Sequence, residues 1–311
     1  MTATTPPRTR SVRAVSLDAG GVLLLPEPAR VRAALAPILG GRGRPVGVPP
    51  GNRARGALLA DDRLVAAHYA GMLAFDRPTG SAAVRTLRYR TAYAAALGLG
   101  GETLTAAVAA LGSCFAEPGL WSSPAPGARL VVRLLAARRL PVVVVSNTEH
   151  GDAAVLLARA GIWPDPAPVA AGRDGRVPGP AFGSPLGPRI GPPVVDSTIV
   201  GTAKPDPAIF RHALAVLDLP AEAVLHVGDS AAADVAGAEA AGLAAVHLDP
   251  LDRCPVRSHR HIAALAELLD LLDADGPPEP DASSAPFAGP ARRGRLDEAG
   301  PSAAPLSHER G

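Results

Sequence analysis

The chain has 311 residues, 31 basic and 29 acidic side chains, and a net charge of +2, so it is no polycation and its charge names no nucleic-acid partner. Its 47% hydrophobic content is enough for a sizeable core, and its length suits roughly two domains. No run reaches the roughly 18 apolar residues of a membrane helix, the Thr/Pro/Arg-rich start does not read as a secretory signal, and Cys114 and Cys254 are too few for a disulfide framework.

In chain order, residues 1–12 carry no periodic pattern and read as a disordered tail. Residues 12–17 (VRAVSL) predict a first strand. Residues 27–122 then read as helical over 29–39, 56–75, 82–97 and 103–115, with a Gly/Pro-rich loop at 40–52. Pro141–Val145 is an unbroken β-branched run, as in a strand buried on both faces. A weaker strand is predicted around Val194-Val195, and two more at 224–227 and 244–248. Helices are predicted at 126–139, 152–161, 206–217, 231–241 and 259–273, the last from Ile262, Leu265, Leu268, Leu269 and Leu272 at helical spacing. Residues 164–193 form a long Gly/Pro-rich loop, and 276–311 a second disordered tail. The alternation predicts an α/β fold. Its core is a Rossmann-like doubly wound parallel sheet (13–26 and 123–275), with an α-helical cap domain inserted at 27–122.

Open sheets of this kind bind ligands at the carboxyl ends of their strands. The first predicted strand ends at Asp18, the second at Ser146-Asn147. Lys204 follows the weak strand, and Asp229 follows the next, with Asp234 five residues on. Phosphoryl transfer needs a nucleophile, cations to spread charge, and donors for the phosphoryl oxygens. Asp18 and Asp229 suit Mg²⁺, which takes a few protein oxygens plus water and phosphate. Lys204 is the sole lysine among 31 basic residues, which points to a place needing a compact ammonium and not a planar guanidinium. On the helical segment, Arg63, His68, Tyr69, Asp76, Tyr89 and Tyr93 are candidate substrate contacts, although such residues on helices usually serve the core or a solvated face. His150 is a candidate proton donor. His226, Trp121 and Trp163 are expected to pack.

The segments LDAGGVL, VVVVSN, GTAKPDPAIF and VLHVGDSAAADVAGAEAAG resemble, in order, the four motifs of the haloacid dehalogenase-like hydrolases. The resemblance covers roughly residues 12–160 and 194–250, and the helical insert resembles that family's cap. It implies Asp18 as a nucleophile forming an aspartyl-phosphate, with Ser146, Asn147 and Lys204 binding the phosphoryl group. It implies a Mg²⁺ held by Asp18, the Gly20 carbonyl and Asp229, with Asp234 supporting that site. The implied protein is a cytoplasmic phosphatase of a small phosphorylated metabolite, with no nucleic-acid or membrane partner. Its oligomeric state is left open.

One position departs from the family pattern. Its phosphatases carry a second Asp two residues after the nucleophile, as general acid and base, where this chain has Gly20. Such a group contributes about 10²- to 10⁴-fold in rate. Two alternatives therefore stand beside the phosphatase: a 2-haloacid dehalogenase-type hydrolase, and a non-catalytic binding or regulatory protein on the same scaffold. Gly228-Asp229 argues against the first, and the set Asp18, Ser146, Lys204 and Asp229 against the second. The predicted cap has no lysine, which excludes phosphonatase chemistry through a Schiff base.

Overall fold

Short β-branched and Ala/Leu runs become the strands. The computed structural model describes residues 12–40, 59–164, 166–169 and 191–274. Its strands are β1 (Ala14–Leu17), β2 (Leu24–Pro26), β3 (Trp121–Pro124), β4 (Val142–Ser146), β5 (Ala167–Pro168), β6 (Pro193–Asp196), β7 (Val224–Gly228), β8 (Ala244–Leu248) and β9 (Arg260–Ile262). Seven of them form one sheet in the order β5-β6-β4-β1-β7-β8-β9, and every neighbouring pair is parallel. β2 and β3 pair antiparallel as a separate ribbon that the sequence pattern does not predict.

The pattern along β4 shows why the sheet is covered on both sides. Val143 and Val145 face one apolar cluster with Ile209, Phe210 and Val216 of α7 (Pro207–Leu217). Val144 faces the opposite cluster, with Val131 and Leu135 of α5 (Ala128–Ala137) and Leu157 of α6 (Ala153–Arg159). Successive strand side chains point to opposite faces, so a run of valines fills both layers at once, as in a doubly wound α/β protein.

Among the described residues four helices lie between β2 and β3: Pro28–Gly40, Asp61–Phe75, Ala82–Ala96 and Gly101–Phe115, here α1 to α4. They share an apolar cluster of their own, built from Val31, Leu35, Leu64, Tyr89, Tyr93, Leu97 and Leu111 among others. Gly71 lets α2 approach α3, because a Cβ there would lie 2.7 Å from the Tyr89 ring.

The helix predicted at 259–273 is corrected. Residues 260–262 are β9, and a helix runs only over Glu267–Ala274. The open edge of β8 takes β9 in parallel register, Val246↔Arg260 and Leu248↔Ile262. Ile262, Leu265, Leu268 and Leu272 do bury together, so their spacing reported a shared core and not a single helix. The expected tails at 1–12 and 276–311, the loop at 40–52 and most of 164–193 fall outside the described residues, save Val12, Gly40 and a few residues around β5 and β6. Among the described residues no helix is long and apolar enough to cross a membrane.

Candidate active site

β1 lies between β4 and β7, and the strand order reverses there: the chain builds outward through β4 and β6, then returns to β7. Such a switch point opens a crevice at the strands' carboxyl ends. The register pairs Leu17 with Val144 and with Val227. Asp18, Ser146 and Asp229 therefore leave the sheet on the same edge.

Lys204 draws these ends together. Its Nζ lies 2.7 Å from Asp18 Oδ1 and 2.6 Å from Asp234 Oδ1, and it donates to the carbonyl of Val145 at 3.1 Å. Asn147, which lines the cavity beside Ser146, also binds the backbone of Lys204 through its side chain. Its Nδ2 donates to the Lys204 carbonyl at 2.9 Å and its Oδ1 accepts from the Lys204 N–H at 2.8 Å. The Asn147 side chain thus holds the lysine's backbone in place, and Ser146, buried at the end of β4, sets its hydroxyl in the same cavity wall as Asp18. Asp234 accepts from the Ser230 N–H at 3.0 Å and faces His226 Nε2 at 3.2 Å, so it braces the site from behind.

Glycine is demanded at two places. Gly21 has φ +74°, and a Cβ there would stand 1.8 Å from Asp229 Oδ2 and 2.7 Å from His68 Nε2. Gly228 sits so close to Asp234 that a Cβ would approach its Cβ to 2.1 Å. Gly20 is different. A Cβ there would meet only the Trp121 ring, at 3.8 Å, which is ordinary van der Waals contact.

The electrostatics are those of a buried acidic cleft. Burial pushes the Asp18 carboxyl well above the ordinary carboxylate range; Lys204 pulls it down, while Asp234 and Asp229 push it up. Burial, with Asp234, raises Asp229 likewise. Burial also opposes ionisation of Asp234, but Lys204 and His226 outweigh it and hold that carboxyl low. For Lys204, burial acts downward and is overcome by Asp18 and Asp234, so the ammonium persists. Oxygens of Asp18, Asp229 and Asp234 lie within 4.8 Å of one another. Kept ionised, these three carboxylates exceed the single ammonium by two charges, and a buried charge needs a counter-charge. An all-oxygen donor set with that excess fits Mg²⁺.

The helical segment closes the other side. His68 of α2 is buried, with Nε2 2.8 Å from Asp229 Oδ2 and Nδ1 2.9 Å from the Tyr89 hydroxyl. Tyr69 donates to the Gly21 carbonyl at 2.8 Å. Asp76 accepts from the Ser230 hydroxyl and, at 2.6 Å, from the Ala231 N–H. Of the candidate substrate contacts, His68 and Tyr89 line the cavity, a space of about 410 Å³ whose walls include Met72, Phe75, Phe115 and Trp121. Trp121, expected only to pack, is thus part of the wall. The sequence offered no signal for it, since a half-buried aromatic on a short strand looks the same in either role.

The fold and cleft together define a class: a Rossmann-like α/β protein with a lysine-clamped acidic site at its switch point. The model of the haloacid dehalogenase-like hydrolases matches residues 12–242, and the chain belongs to this family. It is similar to haloacid dehalogenase-like hydrolase domain-containing protein 3 of Mus musculus, 38% identical over 93 residues, covering 27% of this chain and 37% of that protein. The chain thus matches little more than a third of that relative's length. Its fold is similar to that of a magnesium-bound Bacillus subtilis protein described as a HAD-hydrolase, with a TM-score of 0.50 at 16% identity, over 85% of this chain and 100% of that one. A HAD phosphatase from Thermococcus onnurineus aligns over 84% of this chain and 98% of its own, at 16% identity and a TM-score of 0.45.

Proposed function

We propose that the protein is a Mg²⁺-dependent phosphatase of small phosphate esters, working through an aspartyl-phosphate on Asp18. The observation that carries this reading is the triad of Asp18, Lys204 and Asp234, with Nζ within 2.7 Å of both carboxylates and Ser146 and Asp229 on the same edge. The metal would be held by Asp18, Asp229 and the Gly20 carbonyl, where it would supply positive charge to the phosphoryl oxygens. The four helices between β2 and β3 would act as the cap that selects substrate.

Asp18 Oδ1 is fixed by the Lys204 ammonium and, at 2.6 Å, by the Ala19 N–H, so attack falls to Oδ2. Oδ2 forms a bond to phosphorus as the ester oxygen leaves. Lys204 and the Ser146 hydroxyl meet the charge on the transferring phosphoryl oxygens. Water then attacks the phosphorus, releasing inorganic phosphate and restoring the Asp18 carboxylate. Gly20 offers no proton to the leaving oxygen, so that oxygen takes its proton from water. The reaction should therefore favour leaving groups that depart as stable anions. The apolar and aromatic wall of the cavity supports a small ester whose organic part has an apolar face. Cys114 and Cys254 form no disulfide, which supports a reducing, cytoplasmic setting.

A screen of phosphate esters with and without Mg²⁺, run beside Asp18→Asn, tests the reading. Mg²⁺-dependent phosphate release that is lost in Asp18→Asn supports it. Equal turnover in Asp18→Asn would sink it. Gly20 also favours a second reading, a dehalogenase-type hydrolase, whose ester chemistry needs no protonated leaving group. Chloride release from 2-chloropropionate without Mg²⁺ would favour that one. Ligand binding with no turnover at all would favour a non-catalytic scaffold.

A further inference from the structure

A second cluster of metal-ligating side chains, sharing no ligand with the acidic cleft, lies at the β8–β9 edge of the sheet. His247 is on β8, and His261 is its register partner on β9. Cys254 and His259 belong to the loop that joins the two strands. The three imidazoles stand with ring centroids 5.2, 5.2 and 4.4 Å apart. Cys254 is 3% exposed and His247 5%. One potential ligand atom from each of the four residues lies within 4.8 Å of all the others.

Two of the contacts are close to the edges of a coordination shell. A tetrahedral zinc with Zn–N of about 2.0–2.1 Å and Zn–S of about 2.3 Å has N···N edges of about 3.4 Å and N···S edges of about 3.6 Å. His247 Nδ1 lies 3.2 Å from His259 Nε2, and Cys254 Sγ lies 3.8 Å from the same nitrogen. His261 Nε2 is buried with no hydrogen-bond partner among the described residues, a state that costs about 1–3 kcal/mol for an ordinary polar group. His247 Nε2 faces the carbonyl of Asp229 at 3.2 Å. Donation there places the proton on Nε2 and leaves the Nδ1 lone pair directed at the cluster, the usual outer partner of a metal-bound histidine. The Cys254 N–H is held by Asp249 Oδ2 at 2.8 Å, which anchors the loop where the thiol enters.

We propose that His247, Cys254, His259 and His261 bind a structural zinc ion in a closed Cys-His₃ site. Four protein ligands leave no open position for a substrate, which marks the site as structural and not catalytic. Thiolate and imidazole donors suit zinc and do not suit Mg²⁺, whose preference is for oxygen. Binding converts the Cys254 thiol to a thiolate and releases its proton to solvent. The ion would pin the β8–β9 loop and, through His247, the carbonyl of Asp229, the residue that follows β7.

The test uses the full chain, purified under reducing conditions, stripped with chelator and titrated with zinc in excess Mg²⁺. We expect about one zinc per chain, retained through gel filtration. Cobalt in its place should show intense tetrahedral d–d bands and a thiolate-to-cobalt charge-transfer band. Cys254→Ser should abolish that band, and His259→Ala should weaken zinc binding by more than about tenfold, each checked for native circular dichroism. Asp229→Asn should keep the zinc, which separates this site from the acidic cleft. If the folded chain takes up no zinc in excess Mg²⁺, or takes it up unchanged in both Cys254→Ser and His259→Ala, the proposal is overturned.

Discussion

His68 Nε2 lies 2.8 Å from Asp229 Oδ2, so a residue of the helical insert touches the carboxylate that follows β7. Burial lowers the His68 imidazole to about 3, so the ring is neutral, its Nε2–H donating to Asp229 and its Nδ1 accepting from Tyr89. Outer partners of a metal-binding carboxylate typically cost about 10- to 100-fold in metal affinity or activity when removed. His68→Ala should raise the Mg²⁺ concentration needed for half-maximal activity by about that factor, and His68→Gln by less. A Mg²⁺ titration of turnover decides the matter; unchanged curves would make the ring a packing residue only.

Lys204 is the one ammonium among the buried carboxylates of the cleft. Lys204→Met would leave Asp18 and Asp234 facing each other without it. Breaking a buried pair in this way costs about 3–5 kcal/mol, so urea denaturation should show a large loss of stability along with lost turnover. Lys204→Arg keeps the charge but cannot place one compact donor between Val145 O and two carboxylates. It should fold better than Lys204→Met while remaining nearly inactive.

Residue 20 can be given a carboxyl. A Cβ there meets only the Trp121 ring at 3.8 Å, and Gly20 is not held at positive φ. Gly20→Asp should raise turnover of alkyl phosphates by about tenfold or more, up to the 10²- to 10⁴-fold worth of general acid–base catalysis. Aryl phosphates, whose leaving groups need little protonation, should change much less. The ratio of the two rates before and after substitution is the measurement, and an equal gain on both would contradict the proposed handicap.

Asp76 joins the end of α2 to the turn after β7 by accepting from Ser230 and Ala231. Loss of such a cap typically costs about 0.5–2 kcal/mol. Asp76→Ala should lower the urea midpoint accordingly and, because the same contacts hold the insert on the cleft, raise KM more than it lowers kcat.

His226 makes stability depend on pH. It is fully buried, facing Ser16 Oγ at 2.9 Å and Asp234 Oδ1 at 3.2 Å, and burial lowers its pKa below 6.5. Between the folded and unfolded values the unfolded chain binds more protons, so stability rises with pH. The contribution is complete above about 6.5 and is lost as pH falls toward the folded value. Thermal melts from pH 7 down to 5 should show a falling Tm, with a shallower slope in His226→Gln. An identical slope would assign the effect to other groups.

What the sequence determined alone is local. Four valines in a row demand a strand covered on both faces. The ends of such strands place Asp18, Ser146 and Asp229 at one edge, and the sole lysine stands out in an arginine-rich chain. Tertiary structure decided what depends on distant partners. The apolar spacing after residue 259 reads as helix until the open edge of β8 claims residues 260–262 as β9. That the Asn147 amide also holds the Lys204 backbone, 57 residues away, shows only in the fold. His68 meets Asp229 across 161 residues. The His247, Cys254, His259 and His261 cluster forms no familiar motif, because β8–β9 pairing, and not sequence spacing, brings its ends together. Periodicity records which face of an element is apolar; only the folded chain settles which distant group that face, or the residue at its end, comes to meet.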